Sequence, residues 1–552
     1  MTTTSIRPAP QTTILTRDFW ASGADGVLRI SRCDDCGAWN NPTPAACRRC
    51  RSRSLTMTPT SGRGTVVGVS VNHQHLVPSM PPPYVVAIVA IDEDDGARLT
   101  TNVVGCDVDD VVVGMRVRVR FEQASEHVWL PLFEPDPEAG GETGPVPEPD
   151  PASRRVRPPV SRRKFEDDVA ITGVGQSRVG RRLMIDPVTL AVDAAERAVA
   201  DAGLTMDDID GLSTYPGWGP TGISEGGIMP LEQSLTIHPT WVNGGGDLPG
   251  QNGSIITAML AVSAGLCRHV LCIRSVWQST NSAMMRAGEI DPPSGRPEGM
   301  MESRGPYGAM SPATWIGCQA SNYMHRYGVG REVLGAIAVT TRAHAGANPE
   351  AVYRDPLTMD EYMSARMVST PFGLYDCDVP CDGAVAVVVS AIDAVADMDC
   401  EPVFVEAVGT QITEPLSWDQ GTLHYLPQTI GPAAHLWSRT DLGPDDVDVG
   451  CIYDGFTFNA LSWIETLGFC GAGEAADLIG DGSGIAVDGT LPLNPHGGQL
   501  SAGRLHGYGF VREAVLQLRG RGSGLQVPDA RVAVATAGGG VPSGAILFRR
   551  EG

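Results

Sequence analysis

The chain has 552 residues, too many for one hydrophobic core, and its 42% apolar and 19% charged content excludes a mostly disordered, collagen-like or coiled-coil protein. Sixty-four acidic against 41 basic residues give a net charge of −23, a poor match for nucleic acid or an anionic membrane surface. Forty of the basic residues are Arg and one is Lys, Lys164 in a Pro- and Arg-rich stretch, so a desolvated Schiff-base lysine is excluded, and with it pyridoxal chemistry, lysine-dependent aldol cleavage and a P-loop.

The charge is unevenly placed. Residues 1–135 hold 13 basic and 14 acidic residues, 136–165 hold 6 and 5, and 166–552 hold 22 and 45, so the long C-terminal part carries the excess. The N-terminus has no apolar h-region, and no apolar run of about 18 residues occurs, so neither a secretory signal nor a membrane span is expected. With an odd 13 cysteines, a reducing cytoplasm is the expected location.

In chain order, the first motif is a pair of CxxC knuckles, Cys33–Cys36 and Cys47–Cys50, each flanked by turn residues. Four thiolates at this spacing suit one tetrahedral metal, with zinc favoured over iron because nothing redox-active stands nearby; a redox CxxC pair is the alternative. A four-cysteine site leaves no open coordination position, so this metal is expected to fold its domain rather than catalyse. Short β-rich runs follow (GTVVGVSV, YVVAIVAID, ARLTTNVVG, MRVRVRFEQ), bounded by Gly, Pro and Asp as in a small barrel. Residues 1–135 are therefore expected to form a zinc ribbon and an OB-type barrel. This unit resembles the zinc-ribbon/OB-fold partners of thiolase-like enzymes, here fused to a larger domain. The barrel lacks the positive charge and aromatic spacing of an oligonucleotide-binding face, so no nucleic acid is expected.

Residues 136–166 are Pro- and Arg-rich without apolar periodicity, and are expected to be a disordered linker. From 167 the pattern alternates between strands and helices. VAITGVG is a strand, and the helix after it starts at an Asp and stops at a Gly (residues 186–203). HVLCIRSV and VAVVVSA are continuous apolar runs, expected of strands covered on both faces. GVGQSRVG at 173–180 lacks the third glycine and distant acid of a dinucleotide fingerprint and reads as a structural turn.

Two segments of this region repeat. LTMDDIDGLSTY at 204–215 matches LGPDDVDVGCIY at 442–453, and RHVLCIRS at 268–275 pairs with ARVAVATAGGG at 530–540. Duplication at this scale predicts two similar α/β halves, about 167–395 and 396–552. With it, residues 451–474 (CIYDGFTFNALSWIETLGFCGAGE) and 491–520 (LPLNPHGGQLSAGRLHGYGFVREAVLQLRG), supported by HAGANP at 344–349 and CDGAVAVVV at 381–389, resemble the thiolase-like lipid-transfer proteins, in particular the steroid side-chain-cleaving aldolases. The implied fold is α/β, a thiolase fold of two duplicated halves after the ribbon and barrel. The resemblance also implies an acyl-CoA substrate, so that coenzyme A enters as part of the substrate, and a homodimer formed through the thiolase domain.

The thiolase nucleophile has no counterpart. Residues 242–265, where a nucleophilic Cys would open a helix, contain none, and Cys267 and Cys272 beyond them read as core or surface thiols. Thr536 stands at the second cysteine position, Tyr453 at the Asn of the NEAF motif and Arg504 at the His of the GHP motif. The resemblance to the steroid aldolases implies a catalytic role for Tyr453; their second Tyr is replaced here by Arg504, with His506 and Tyr508 following. The expected chemistry is retro-aldol cleavage of a β-hydroxyacyl-CoA, possible without a covalent intermediate. A base must take the β-hydroxyl proton, and donors must hold the thioester enolate. Tyr453 is assigned as the base, Arg504 as the cation that lowers its pKa, and His506 or Tyr508 as the proton donor. His496 completes the candidate set, and Asp454 either orients Tyr453 or caps the next helix. Gly244–Gly246 are candidates for backbone donors to the thioester oxygen or for close packing. For each aromatic and histidine a structural role is the alternative. For the whole protein the alternatives are a thiolase-type acyltransferase or condensing enzyme, and a non-catalytic acyl-CoA or sterol binding module.

Overall fold

A computed structural model describes residues 6–41, 43–146, 163–214, 224–245, 250–291, 295–412, 430–538 and 543–550. The first unit is a three-stranded ribbon in which Arg29–Cys33 pairs with Trp39–Asn40 and Leu55–Pro59. It leads into a barrel sheet built on Arg63–Asn72, Tyr84–Ile91, Asp94–Thr101, Arg116–Ser125 and Val128–Pro135. The expected linker is ordered at both ends. Asp136 caps a short turn at Pro137–Ala139, and Thr143 bridges to Met115, because their backbone groups find partners on the barrel. At the other end Lys164, expected in free linker, donates to the backbone oxygen of Glu406 at 2.6 Å and to its carboxylate at 3.1 Å. Residues 147–162 of the stretch lie outside the described residues.

The large domain is organised on a nine-stranded sheet. Its spatial order is Trp241–Asn243, Gly211–Thr214, His269–Trp277, Asp382–Ala391, Val169–Gln176, Val403–Gly409, Gly544–Arg549, Val532–Ala537 and Val449–Cys451. Five strands come from the first half and four from the second. The halves meet where Ile171 and Ala170 pair with Val403 and Phe404. The apolar runs are covered on both faces, as their composition requires. Leu271, Ile273, Ala384, Ala386 and Val388 pack under the helix Pro187–Asp201, while Val270, Cys272, Val385, Val387 and Val389 belong to the larger core that includes the helix Gly253–Ser263.

The repeat is visible as structure. Asp210 accepts from the backbone N–H groups of Arg268 and His269 at 2.8–2.9 Å, and Asp448 accepts from those of Arg531 and Val532 at 2.7 and 2.9 Å. Each Asp thus pins the first residues of the strand that runs parallel to its own. The first helix starts as expected, with Asp186 accepting from Val188 N–H and Pro187 at its first position. The GVGQ part of 173–180 is strand rather than turn. Its glycines serve helix packing, since a Cβ at Gly173 or Gly175 would sit 2.1 or 2.3 Å from the Ala198 or Ala194 carbonyl oxygen.

The barrel docks on the large domain of its own chain. The helix Pro312–Tyr327 lies along the strand Arg63–Asn72, close enough that a Cβ at Gly68 would meet the Cys318 oxygen at 2.6 Å and one at Gly317 the Ser70 hydroxyl at 2.6 Å. Val69 N–H donates to Ser321 Oγ (2.9 Å) and Asn322 Nδ2 to the Val67 oxygen (2.6 Å). Trp20 Nε1 donates to the buried Glu302 carboxylate at 2.7 Å. The short strand Met367–Ser369 extends the barrel sheet itself, Ser369 pairing with Asn72. Among the described residues no helix is long and apolar enough to cross a membrane.

Candidate active site

The site lies where the C-terminal ends of the second-half strands meet the glycine-rich loop at 497–509. Tyr453 follows the strand Val449–Cys451, and its N–H donates to Thr536 Oγ1 at 2.8 Å. Thr536 therefore positions the tyrosine backbone. Arg504 reaches it from the loop. Its guanidinium is 3.0 Å from the Asp378 carboxylate and donates to Gln278 Oε1 at 3.1 Å. Burial pushes the Tyr453 phenol up to about 12, against the opposing pull of Arg504. Arg504 lowers the Tyr453 pKa, the direction expected of it, but the guanidinium is also paired with Asp378, and desolvation outweighs its field. Asp378 itself is pushed by burial up to about 6, with Arg504 pulling the other way.

Asp454 does not cap the helix Thr457–Thr466, whose first turn is closed by the Asn459 side chain on the Phe456 N–H. Its carboxylate accepts from Gln499 N–H at 2.7 Å and Asn494 Nδ2 at 3.2 Å, so it ties the loop down. The fit is tight: Gly498 has φ +58°, and a Cβ there would lie 1.9 Å from Asp454 Oδ2. Burial raises Asp454 to about 7. The loop continues through a π-helical turn, Gly498–Ala502, a form common at functional sites.

Past the turn, His506 is buried with φ +56°. Arg274 Nη2 lies 2.8 Å from His506 Nδ1. A guanidinium has no acceptor, so Nδ1 accepts and the ring proton sits on Nε2. Burial, reinforced by Arg274 and Arg504, holds His506 neutral far below its ordinary range. It therefore offers a hydrogen bond from Nε2–H, and the sequence offers either His506 or Tyr508 as the proton donor. Tyr508 is wholly buried in the first turn of the helix Gly507–Leu518, with its hydroxyl 2.6 Å from Ser254 Oγ. His496 is buried beside Phe510, its pKa lowered by burial to about 3. It packs on the same ring as Tyr453, their centroids lying 5.7 and 6.1 Å from that of Phe510.

The six expected residues thus gather on and around one loop, five of them in two polar groups and His496 against Phe510. Tyr453, Arg504 and Asp454 share theirs with Asp378. His506 and Tyr508 share theirs with Arg274, Ser254 and Glu225, whose carboxylate accepts from the Ser275 hydroxyl at 2.6 Å. Arg274 carried a signal, a charge inside the apolar run HVLCIRSV; Asp378 and Glu225 carried none. Gly244 and Gly245 are exposed, and Gly246 lies outside the described residues. Cys267 and Cys272 are core thiols, both buried, with burial raising Cys267 to about 12 and Cys272 further. Among the described residues no thiol stands at the start of the helix Gly253–Ser263. Gly250, before the helix Gly253–Ser263, has φ +66°, and a Cβ there would meet the Ala537 oxygen at 2.8 Å.

In the ribbon, the Sγ atoms of Cys33, Cys36, Cys47 and Cys50 all lie within 4.8 Å of one another, with Cys33–Cys50 at 3.5 Å and Cys36–Cys47 at 3.6 Å. Tetrahedral zinc with bonds of about 2.3 Å needs sulfurs about 3.8 Å apart, so the four thiolates fit the ion.

Comparison with known proteins agrees with this geometry. Residues 20–56 match the ChsH2 rubredoxin-like zinc ribbon domain, 58–122 the ChsH2 C-terminal OB-fold domain, and 431–547 the thiolase C-terminal domain-like family. Over 398 residues, 69% of this chain and 98% of the relative, it is 34% identical to the 17-hydroxy-3-oxo-4-pregnene-20-carboxyl-CoA lyase of Mycobacterium tuberculosis. The chain belongs to the thiolase-like steroid side-chain-cleaving aldolases. A steroid side-chain-cleaving aldolase of Thermomonospora curvata is 31% identical over 397 residues, 69% of this chain and 97% of the relative. A solved Ltp2-ChsH2(DUF35) aldolase superposes with TM-score 0.61 and 29% identity, covering 69% of this chain and 98% of that one. The fold, the zinc-binding ribbon and the carbon–carbon lyase class expected from the sequence all agree with these relatives.

Proposed function

We propose that this chain cleaves a β-hydroxyacyl-CoA by retro-aldol reaction, and that its substrate class is a steroid side chain carrying a 17-hydroxyl and a 20-carboxyl-CoA thioester, as in its Mycobacterium relative. The observation that carries this reading is the Tyr453–Arg504–Asp378 group, a buried phenol with a partly buried ion pair beside it, combined with the absence of a cysteine at the start of the helix Gly253–Ser263. An acyltransferase of thiolase type would need that nucleophile.

The Tyr453 hydroxyl meets the substrate hydroxyl and passes its own proton toward Asp378 while taking the substrate's. Asp378, with its pKa near 6 and Arg504 beside it, is the group charged at neutral pH. Asp454 positions the loop, and His506 donates from Nε2. The Tyr508–Ser254 hydroxyl pair returns a proton to the enolate carbon. His496 holds the loop from behind through the shared Phe510 ring.

Residues 1–135 and 167–552 act as one enzyme, with zinc shaping the ribbon at Cys33, Cys36, Cys47 and Cys50. The thiolase domain pairs with a second copy along the outer edge of Trp241–Asn243, where Val242, Leu260 and Leu266 are about half exposed. A reducing cytoplasm suits thirteen cysteines, none of which forms a disulfide among the described residues. The test is a panel of β-hydroxyacyl-CoA thioesters, steroid ones included, given to the purified full-length protein. Mass spectrometry should show a ketone and a short acyl-CoA in equal amounts, and release of neither from any thioester would end the lyase reading.

A further inference from the structure

Two helices begin against each other in the middle of the large domain. Gly253–Ser263 starts after Asn252, and Gly507–Leu518 starts after His506. Neither start is capped by a side chain. His506 turns its Nδ1 to Arg274 instead. Asn252 is the more unusual of the two. Asn is among the best N-cap residues because its side chain folds back onto the first N–H groups, yet here it does not.

The Asn252 amide is wholly buried, and neither its oxygen nor its nitrogen has a hydrogen-bond partner. It points at the start of the other helix, where a Cβ on Gly507 would lie 2.7 Å from its Oδ1. A buried amide left unpaired costs free energy that a folded protein seldom leaves unrecovered. Its surroundings add positive potential, since the partial charges at both helix starts converge there.

The amide also shares a strand end with Tyr453. Thr536 accepts from the Tyr453 N–H at 2.8 Å. At the next residue, the Ala537 methyl would lie 2.6 Å from a Cβ on Gly507. The Tyr453 backbone and Gly507, against which the Asn252 amide lies, therefore meet consecutive residues of the strand Val532–Ala537.

We propose that the Asn252 side-chain amide, set between these two helix starts, donates the hydrogen bond that holds the thioester oxygen of the substrate while the carbon–carbon bond breaks. The inference rests on the retro-aldol reading. In that step the β-hydroxyl O–H bond breaks and its proton goes to the Tyr453 side. The oxygen pair closes the new carbonyl, and the Cα–Cβ bond breaks. Its electron pair becomes the enolate, with the negative charge on the thioester oxygen. Return of one proton to Cα completes the short acyl-CoA, and nothing is oxidised or reduced. A donor already in place and shielded from water is worth most at the atom where charge develops.

The experiment compares Asn252→Ala and Asn252→Leu with the wild type, using the β-hydroxyacyl-CoA that the wild type cleaves best. The expected result is a loss in kcat of about 10²–10³-fold with KM little changed, the size seen when one oxyanion donor is removed. Melting temperatures should stay level or rise, because an unpaired buried polar group has gone. Activity within about threefold of wild type in either variant would overturn the proposal. So would a loss of activity that follows a falling melting temperature in both variants, or failure of both to fold, since either result makes Asn252 a structural residue. A wild type that cleaves no thioester ends the lyase reading and this inference together, whereas an active wild type with equally active variants removes only Asn252.

Discussion

The Arg504 guanidinium sits 3.0 Å from the Asp378 carboxylate, and both groups act electrostatically on the Tyr453 phenol. The arginine is divided between the two: it favours ionisation of each, but burial keeps the phenol neutral and leaves Asp378 to titrate near 6. The phenol, the guanidinium and the carboxylate therefore form one electrostatic unit, and the proposed acid–base role belongs to all three.

Removal of the phenol tests the centre of the trio. Tyr453→Phe should lower kcat by about 10²–10⁴-fold, the usual contribution of positioned proton transfer, with little change in melting temperature. Steady-state kinetics beside a thermal melt checks this, and a variant that keeps full rate would place the chemistry elsewhere.

The pH dependence has a definite sign. Asp378 has a folded pKa raised to about 6, above the unfolded value of about 3.9, so its share of stability is full at pH below about 4 and is lost as the pH rises through 6. Activity runs the opposite way, because the charged form is the useful one. The kcat/KM profile should climb with an apparent pKa near 6, and Asp378→Asn should abolish that limb while flattening the stability curve across the same range.

Gly498 gives the loop its shape. Gly498→Ala places a methyl against Asp454 and forces a left-handed backbone at φ +58°, which alone costs about 1–2 kcal/mol. The expected outcome is a lower melting temperature together with a loss of lyase activity. Unchanged values of both would show that the loop shifts without consequence.

Cys33→Ser removes one of four zinc ligands. Metal analysis should show the zinc content falling from one per chain toward none, with the ribbon unfolding in proteolysis and the large domain intact. Iodoacetamide applied to the zinc-loaded enzyme should leave the rate unchanged, since the proposed reaction uses no thiol.

Gly317→Val probes the contact between barrel and large domain. Its side chain would strike Ser70 and the Thr370 oxygen, so the two units should separate into two melting transitions. A single unshifted transition would mean the interface has slack that the close approach does not suggest.

Much of this architecture was legible in the sequence. The two CxxC knuckles, the Asp186 helix start and the Asp210/Asp448 repeat each encode a local bond whose partners are close in sequence or repeated by duplication. Tyr453, Arg504 and Tyr508 were legible as members of the candidate site because they lie in two compact motifs. Their roles were not. Whether Arg504 serves Tyr453 depends on Asp378, and whether His506 is an acid depends on Arg274; both partners arrive from distant strands and loops through tertiary packing. Asn252 gave no signal, because an asparagine before a helix ordinarily means a cap, and only the fold shows that this one turns away.

The docking of the barrel on the helix Pro312–Tyr327 has a further consequence. Where a ribbon–barrel unit and a thiolase unit are separate molecules, their union depends on the abundance of each. Here both belong to one polypeptide, so the encounter is unimolecular, at an effective concentration on the order of millimolar for a short connection. Every catalytic unit is made with its own barrel in a fixed ratio of one to one, and dilution of the enzyme does not part them.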